Sequence, residues 1–272
     1  MSKSIYMIDI LGHGSQGKVY RGYHTILKRE VAIKQVKQKY IAVKEIEMMK
    51  ILRNIDCPYT VDYIDNYYEE ESASHCIVMD YIRGINGKYI KELTGLNIYF
   101  NESDISAIIY NIAKALKILH HNNIIHNDVK PENIIFTPPR SAVLLDYGCT
   151  RSIDIDDYNG IMGTPIYCSP EKLNYDINIS SDIWALGITL YIFMCGSHPF
   201  YPKDVKFKDI SEMHRFLIYS QLRFDENRWG LLTNELKDLI RRMLDKNVET
   251  RISLDELLEH PWFVQNNLKD LV

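Results

Sequence analysis

The chain opens on positions that alternate in hydrophobicity around a glycine turn. Tyr6-Met7-Ile8-Asp9-Ile10-Leu11, then Gly12-His13-Gly14-Ser15-Gln16-Gly17, then Lys18-Val19-Tyr20-Arg21-Gly22-Tyr23 predict strand, turn and strand. Glu30-Val31-Ala32-Ile33-Lys34 predicts a third strand, apolar and ending on lysine. From about Ala42 to Asn54 the period lengthens to that of a helix. Glu45 there shares a face with Met48, Met49 and Leu52, and Glu47 lies about 200° away from it at ~100° per residue. Strands around Val61–Tyr67 and His75–Met79 flank the acidic turn Glu69-Glu70-Glu71-Ser72. A long helix is expected to begin at Ser103, with Ile105, Ile108, Ile109, Ile112, Leu116 and Leu119 at helical spacing. Short apolar strands follow at Ile134–Phe136 and Ala142–Leu145, on either side of a Pro138-Pro139 turn. The run Ile183–Cys195 is uncharged and apolar, shorter than the ~18–20 residues that span a bilayer, and predicts a buried helix. Further helices are expected around Ser211–Leu222, from Thr233 to Leu244, and from Ser253, where Ser253 and Glu256 form a capping box.

With 272 residues and 46% hydrophobic composition, the chain can bury one large core or two smaller ones joined by a hinge. The net charge of −4 argues against a nucleic-acid-binding surface or attachment to an anionic membrane. Five cysteines without a C-x-x-C pair fit reduced thiols better than a disulfide framework or a zinc site. The first ten residues lack a long apolar core and a cleavage pattern, so no signal peptide is expected. These features together predict an intracellular protein, cytoplasmic or nuclear, with little room at its termini for a further regulatory domain.

Candidate chemistry concentrates between Ile124 and Asn133. Ile124-Ile125-His126-Asn127-Asp128-Val129-Lys130-Pro131-Glu132-Asn133 gathers two carboxylates, a lysine, a histidine and two asparagines between a helix and a strand. Such a loop can present Asp128 as a proton acceptor, Lys130 as a charge clamp and Asn133 as a metal ligand. Upstream, Gly12, Gly14 and Gly17 permit close backbone approach to phosphate, because no Cβ stands in the way. A dinucleotide-binding reading, with Glu30 as the ribose acid, fails because the residues after Gly17 alternate like a strand and open no helix for a pyrophosphate.

The Ile124–Asn133 run resembles the catalytic loop of eukaryotic-type protein kinases, H-R-D-x-K-x-x-N, with Asn127 in the place of arginine. The resemblance extends to the G-x-G-x-x-G at Gly12–Gly17, to V-A-I-K at Val31–Lys34, and to D-F-G at Asp146-Tyr147-Gly148, with tyrosine for phenylalanine. It continues in Gly163–Glu171, similar to G-T-x-x-Y-x-x-P-E with Ser169 for the alanine of A-P-E, and in His260-Pro261-Trp262-Phe263. These motifs stand in the family's order from about Ile5 to Phe263.

The resemblance implies an α+β, two-lobed fold in one catalytic domain over residues 1–272. A small antiparallel-sheet lobe with one main helix (about 1–79) leads through a hinge (about 80–83) to a larger, mainly helical lobe (84–272). It implies ATP and Mg²⁺ as cofactors. Leu11, Gly12, Gly14 and Gly17 would cover the nucleotide, and Val19, Ala32 and Ile135 would sandwich adenine. Met79 would stand at the back of the pocket, with the backbone of Asp80, Tyr81 and Ile82 at the adenine edge. Lys34, held by Glu45, would reach the phosphates, Asn133 and Asp146 would hold the metal, and Asp182 would cap the backbone of the catalytic loop. Asp128 would take the acceptor proton and Lys130 would steady the phosphoryl group, while Arg251 would pair with Glu171. Lys130 and Thr164 imply a serine/threonine acceptor on a protein. A pseudokinase and a small-molecule kinase are the competing readings; Lys34, Asp128 and Asp146 argue against the first and Gly163–Glu171 against the second. Asn127 lacks the charge with which most relatives bind a phosphorylated activation loop. Between Ile153 and Gly163 the only hydroxyl is Tyr158, beside Asp154, Asp156 and Asp157, so activity without loop phosphorylation is expected, with Thr150 and Ser152 as remaining candidate modification sites. Glu132 could meet a basic residue of the substrate, but Ile192 stands where strongly basophilic relatives carry a second acid, so only a weak preference for arginine is expected.

Overall fold

The computed structural model describes residues 4–14, 17–55, 57–153, 162–223 and 226–266. Asp154, Asp156, Asp157 and Tyr158 lie outside the described residues. The alternating N-terminal segments form β1 (Ile5–Gly14), β2 (Gly17–His24) and β3 (Arg29–Val36), followed by α1 (Lys39–Arg53), β4 (Tyr63–Glu69) and β5 (Ser74–Asp80). The strands make one antiparallel sheet in the order β1-β2-β3-β5-β4. Strand periodicity sorts its side chains. Val31, Ile33, Cys76 and Val78 pack with Ile5 on one face, and Val36 and Ile77 join the core that holds Ala42, Ile46, Met49 and Leu52 of α1 on the other. Lys34 has the parity of Val36, so the pleat aims it at the helix side.

Beyond β5 the chain turns helical. β6 (Ile85–Asn86) and α2 (Gly87–Gly95) precede α3 (Glu102–His121), whose cap is Asn101 rather than the expected Ser103; the Asn101 side chain accepts the Asp104 N–H. The α2 helix escaped the linear reading because its nine residues offer too few apolar positions to establish a period. Short strands β7 (Ile124–Ile125), β8 (Ile134–Thr137), β9 (Ser141–Leu144) and β10 (Arg151–Ser152) carry the loops of the site. The remaining helices are α4 (Pro170–Leu173), α5 (Ser180–Cys195), α6 (Ile210–Tyr219), α7 (Glu226–Trp229), α8 (Asn234–Met243), α9 (Leu254–Leu258) and α10 (Pro261–Gln265). The capping box expected at Ser253 and Glu256 is present in full.

The α5 helix is apolar around its whole circumference, so it can only be a core helix. All its residues from Ser181 to Cys195 are buried, and α2, α3 and α8 pack around it. No helix among the described residues is long and apolar enough to cross a membrane. The five cysteines are buried and none is in a disulfide. The α+β architecture, a small antiparallel-sheet lobe with one main helix and a larger helical lobe, is the one the motifs imply.

One buried ion pair staples the segment before α5 to the far end of the large lobe. Arg251 meets Glu171 through two parallel bonds, Nη1 to Oε1 at 2.6 Å and Nη2 to Oε2 at 2.9 Å, and donates also to the Ser180 carbonyl. Burial works against the Glu171 charge, but Arg251 outweighs it and holds the carboxyl below the ordinary range. Removing one partner strands the other in the interior, which typically costs ~3–5 kcal/mol. Arg251→Met is therefore expected to lower unfolding free energy in urea by about that amount, and Arg251→Met with Glu171→Leu to recover most of it.

Candidate active site

The polar residues singled out in the sequence gather in two clusters, one joining the sheet to α1 and the segment after β9, the other on the loop between β7 and β8. In the first, Lys34 Nζ lies 2.7 and 2.9 Å from the two carboxylate oxygens of Glu45 and 2.6 Å from Asp146 Oδ1. Lys34 and Glu45 are buried, whereas Glu47 is exposed, as the helical phase of α1 requires. Burial disfavours the Lys34 ammonium, yet the charges of Glu45 and Asp146 overcome it and hold its pKa above that of ordinary lysine. Burial acts on Asp146 too and would raise its pKa; Lys34 and the Gly148 N–H reverse the sign and keep it ionised. Asp146 adopts a left-handed backbone, φ 63°, a conformation that short polar side chains tolerate better than most. The aromatic of the next residue is buried, and its hydroxyl finds the partner it needs: Tyr147 donates to the Leu144 carbonyl at 2.9 Å.

The second cluster is built on the loop between β7 and β8. Asp128 Oδ1 accepts from the Thr164 N–H and hydroxyl, both at 2.8 Å, while Oδ2 accepts from Lys130 Nζ at 2.6 Å and Asn133 Nδ2 at 3.2 Å. Lys130 also reaches Thr164 Oγ1 at 2.7 Å. Asp182, in the first turn of α5, holds the loop from beneath. Its carboxylate accepts the backbone N–H groups of His126 at 2.9 Å and Asn127 at 2.8 Å, and lies 2.9 Å from His120 Nε2. Burial would raise the Asp182 pKa, but these donors bring it below the usual value. Burial pushes the His126 pKa down, which fits a neutral ring donating from Nε2 to the Leu145 carbonyl and accepting the Asp128 N–H at Nδ1.

Asn127 also has a left-handed backbone, φ 71°, and its Nδ2 donates to the Cys149 carbonyl. Its own carbonyl receives Lys172 Nζ at 2.6 Å, and Lys172 is a buried lysine with no carboxylate partner among the described residues. Glycine is required opposite them. Gly163 has φ 92°, and a Cβ there would stand 2.4 Å from the Asn127 carbonyl and 3.3 Å from the Lys172 ammonium. Lys172 was not legible in the sequence, because nothing in a four-residue helix assigns one side chain to the interior.

The apolar positions expected around a nucleotide are distributed along the cleft side of the sheet and β8. Ala32 is buried, Val19, Met79 and Ile135 are half-buried, and Leu11 is exposed. Gly12 has open space where a side chain would be. Gly14 and Gly17 pair across the first turn. The Asp80 N–H is already donated to the Asp62 carbonyl, so Asp80 can offer a ligand its carbonyl alone, and donors must come from Tyr81 or Ile82. For a divalent cation, the donor set is Asp146 and Asn133, whose amide nitrogen is committed to Asp128 and whose oxygen is the atom left to bind metal. No cluster of three or more His, Cys, Asp or Glu suited to a metal occurs among the described residues. Mg²⁺ takes one or two protein oxygens and completes its shell with phosphate and water.

Residues 6–263 match the protein kinase domain family, and the chain belongs to that family. It is 30% identical over 268 residues to MAP kinase-activated protein kinase 2 from Mus musculus, covering 95% of this chain and 68% of that protein. It is 31% identical over 265 residues to calcium-dependent protein kinase 3 from Plasmodium yoelii yoelii, covering 93% and 46%. To serine/threonine-protein kinase 17A from Oryctolagus cuniculus it is 30% identical over 239 residues, covering 85% and 57%. The chain spans about half the length of most of the curated relatives it matches.

Another residue that the linear reading passed over ties down the segment beside Thr164. His198 Nε2 lies 2.8 Å from the Ile166 carbonyl, and Nδ1 accepts the N–H groups of Phe200 and Tyr201 at 3.1 and 3.0 Å. The two bonds accepted at Nδ1 need the neutral ring, whereas Nε2–H can donate to the Ile166 carbonyl in either protonation state. Burial lowers its pKa to about 4. In the unfolded chain it titrates near ~6.5, so as pH falls below that value the unfolded state takes up a proton that the folded state refuses. Stability is expected to decline with falling pH from about 6.5 towards 4, and His198→Asn to flatten that slope between pH 7 and 5. Urea midpoints across this range check it; an unchanged slope in the variant would contradict the assignment.

Proposed function

We propose that the chain is a serine/threonine protein kinase that transfers the γ-phosphoryl group of ATP to hydroxyls of protein substrates. The observation that carries the reading is the Asp128 carboxylate, bonded by Lys130 and Thr164 on a loop whose backbone is pinned by Asp182. In the proposed reaction the acceptor oxygen forms a bond to the γ-phosphorus, the bond from that phosphorus to the β–γ bridging oxygen breaks, and Asp128 takes the hydroxyl proton. The transition state is loose, so positioning and charge neutralisation are the main tasks of the protein. Lys130 neutralises charge on the migrating group, and Lys34, aligned by Glu45, does so on the α- and β-phosphates. Leu11, Gly12, Gly14 and Gly17 cover the nucleotide, Val19, Ala32, Met79 and Ile135 enclose adenine, and Asp80 to Ile82 meet its edge. Asp146 and Asn133 would hold Mg²⁺, which supplies further neutralisation of the phosphate oxygens when bound.

We further propose that activity does not depend on activation-loop phosphorylation. A phosphate on that loop acts in most relatives through the arginine that Asn127 replaces. In this chain a different cation holds the catalytic loop itself, as Lys172 bonds the Asn127 carbonyl next to the catalytic aspartate. Enzyme made in bacteria is expected to keep its activity within about twofold after phosphatase treatment, and Asp128→Asn to lose about 10²–10⁴-fold. A large loss on dephosphorylation would contradict the second proposal; no transfer and no ATP binding would contradict the first. Lys172→Met is expected to reduce kcat about tenfold or more with little change in the KM for ATP. Its unfolding free energy should fall by about 1–3 kcal/mol, since the buried Asn127 carbonyl loses that donor.

A further inference from the structure

Glu132, four residues beyond Asp128, is the acid at which a basic residue of a substrate would be expected to dock. The α2 helix has closed on it. The Asn86 side chain caps α2 by accepting the Lys88 N–H, and its Nδ2 donates to the Glu132 carbonyl at 3.0 Å. At Gly87 the helix touches the catalytic loop so closely that a Cβ would stand 2.5 Å from the Pro131 carbonyl. One turn on, at i+4 and so on the same face as Gly87, Lys91 places Nζ 3.0 Å from Glu132 Oε1 and 3.5 Å from the Tyr167 hydroxyl. The second oxygen, Oε2, is covered and has no hydrogen-bond partner among the described residues. Tyr167 comes three residues after Thr164, so this cluster borders the acceptor position from both the catalytic loop and the segment that faces it.

The pair is half exposed, 35% and 34% for the two side chains, so it adds little to stability. Its consequence lies in selection. A lone carboxylate beside the acceptor would draw arginine or lysine, whereas here one oxygen is taken and the other covered. An incoming cation would have to displace Lys91 for no net gain in charge pairing. Nor does α5 offer a second acid, since Ile192 is apolar and buried. We propose that Lys91 is a specificity-determining residue, an internal cation that satisfies Glu132 in place of a substrate arginine, so that the enzyme takes acceptor peptides lacking basic residues around the phosphorylated serine or threonine. This inference rests on the kinase reading above.

The test is a series of serine peptides, each with a single arginine placed in turn around the acceptor, compared with the alanine parent by the ratio of kcat/KM within each enzyme variant. The wild type is expected to give ratios below about three at every position. Lys91→Met should raise one position at least tenfold, equivalent to about 1.4 kcal/mol, and Lys91→Glu should raise it further. Adding Glu132→Gln to Lys91→Met should abolish the gain. Because each ratio is taken within one variant, a general loss of activity does not imitate the effect. A wild-type ratio above ten, or a Lys91→Met profile that matches the wild type, overturns the proposal. Absence of transfer to every peptide by the wild type overturns the kinase reading itself.

Discussion

The carboxylate of Asp182 is the constraint on which the site depends. It sits buried in the first turn of α5 and accepts two consecutive backbone N–H groups, those of His126 and Asn127. Two bonds to adjacent amides fix the orientation of two successive peptide planes, those ending at His126 and Asn127, just ahead of Asp128. Because α5 is enclosed by the rest of the large lobe, the loop inherits the rigidity of the core. A loop held only by its own turn would leave the carboxylate of Asp128 free to wander, and catalytic geometry tolerates little of that. His120, on α3, braces the same carboxylate, so two long helices and the loop converge on one ionised group.

The Lys34 cluster does the corresponding work between the lobes. One cation stands between two carboxylates, Glu45 from α1 and Asp146 from the segment after β9. Each of the three comes from a different element, so the arrangement exists only when helix, sheet and large lobe are in register. The cluster brings two carboxylates onto one ammonium, so the position of Lys34 is fixed from both lobes. The left-handed backbones at Asp146 and Asn127 lie where the chain turns abruptly to present these groups, as strained residues at functional sites commonly do.

Two lysines show how local charge is reassigned within a shared architecture. Lys172 supplies a buried cation to a loop that lacks its usual arginine, and Lys91 pairs with the acid four residues beyond Asp128. Both are short-range devices. Neither alters the fold, and each acts by occupying a position in the electrostatics of the loop between β7 and β8.

The sequence by itself determined the elements and the list of polar groups. Alternation specified the strands, helical phase separated Glu45 from Glu47, and the order of the motifs specified a two-lobed kinase-like fold, because these are properties of residues close together along the chain. It also named Asp128, Lys130, Asn133, Asp146 and Lys34 as the groups to watch; in the structure Lys34 and Asp146 meet in one cluster, and Asp128, Lys130 and Asn133 in another. The start of α3 was set by a local cap one residue before the helix, which the linear reading missed, whereas the partners of Lys91, Lys172 and His198 were decided by tertiary structure alone. Each of those side chains meets a group 32 to 45 residues away in sequence, Ile166 for His198, Glu132 for Lys91 and Asn127 for Lys172. Whether a lysine is a solvated surface charge or a buried clamp depends on what the fold brings against it, and no periodicity encodes that.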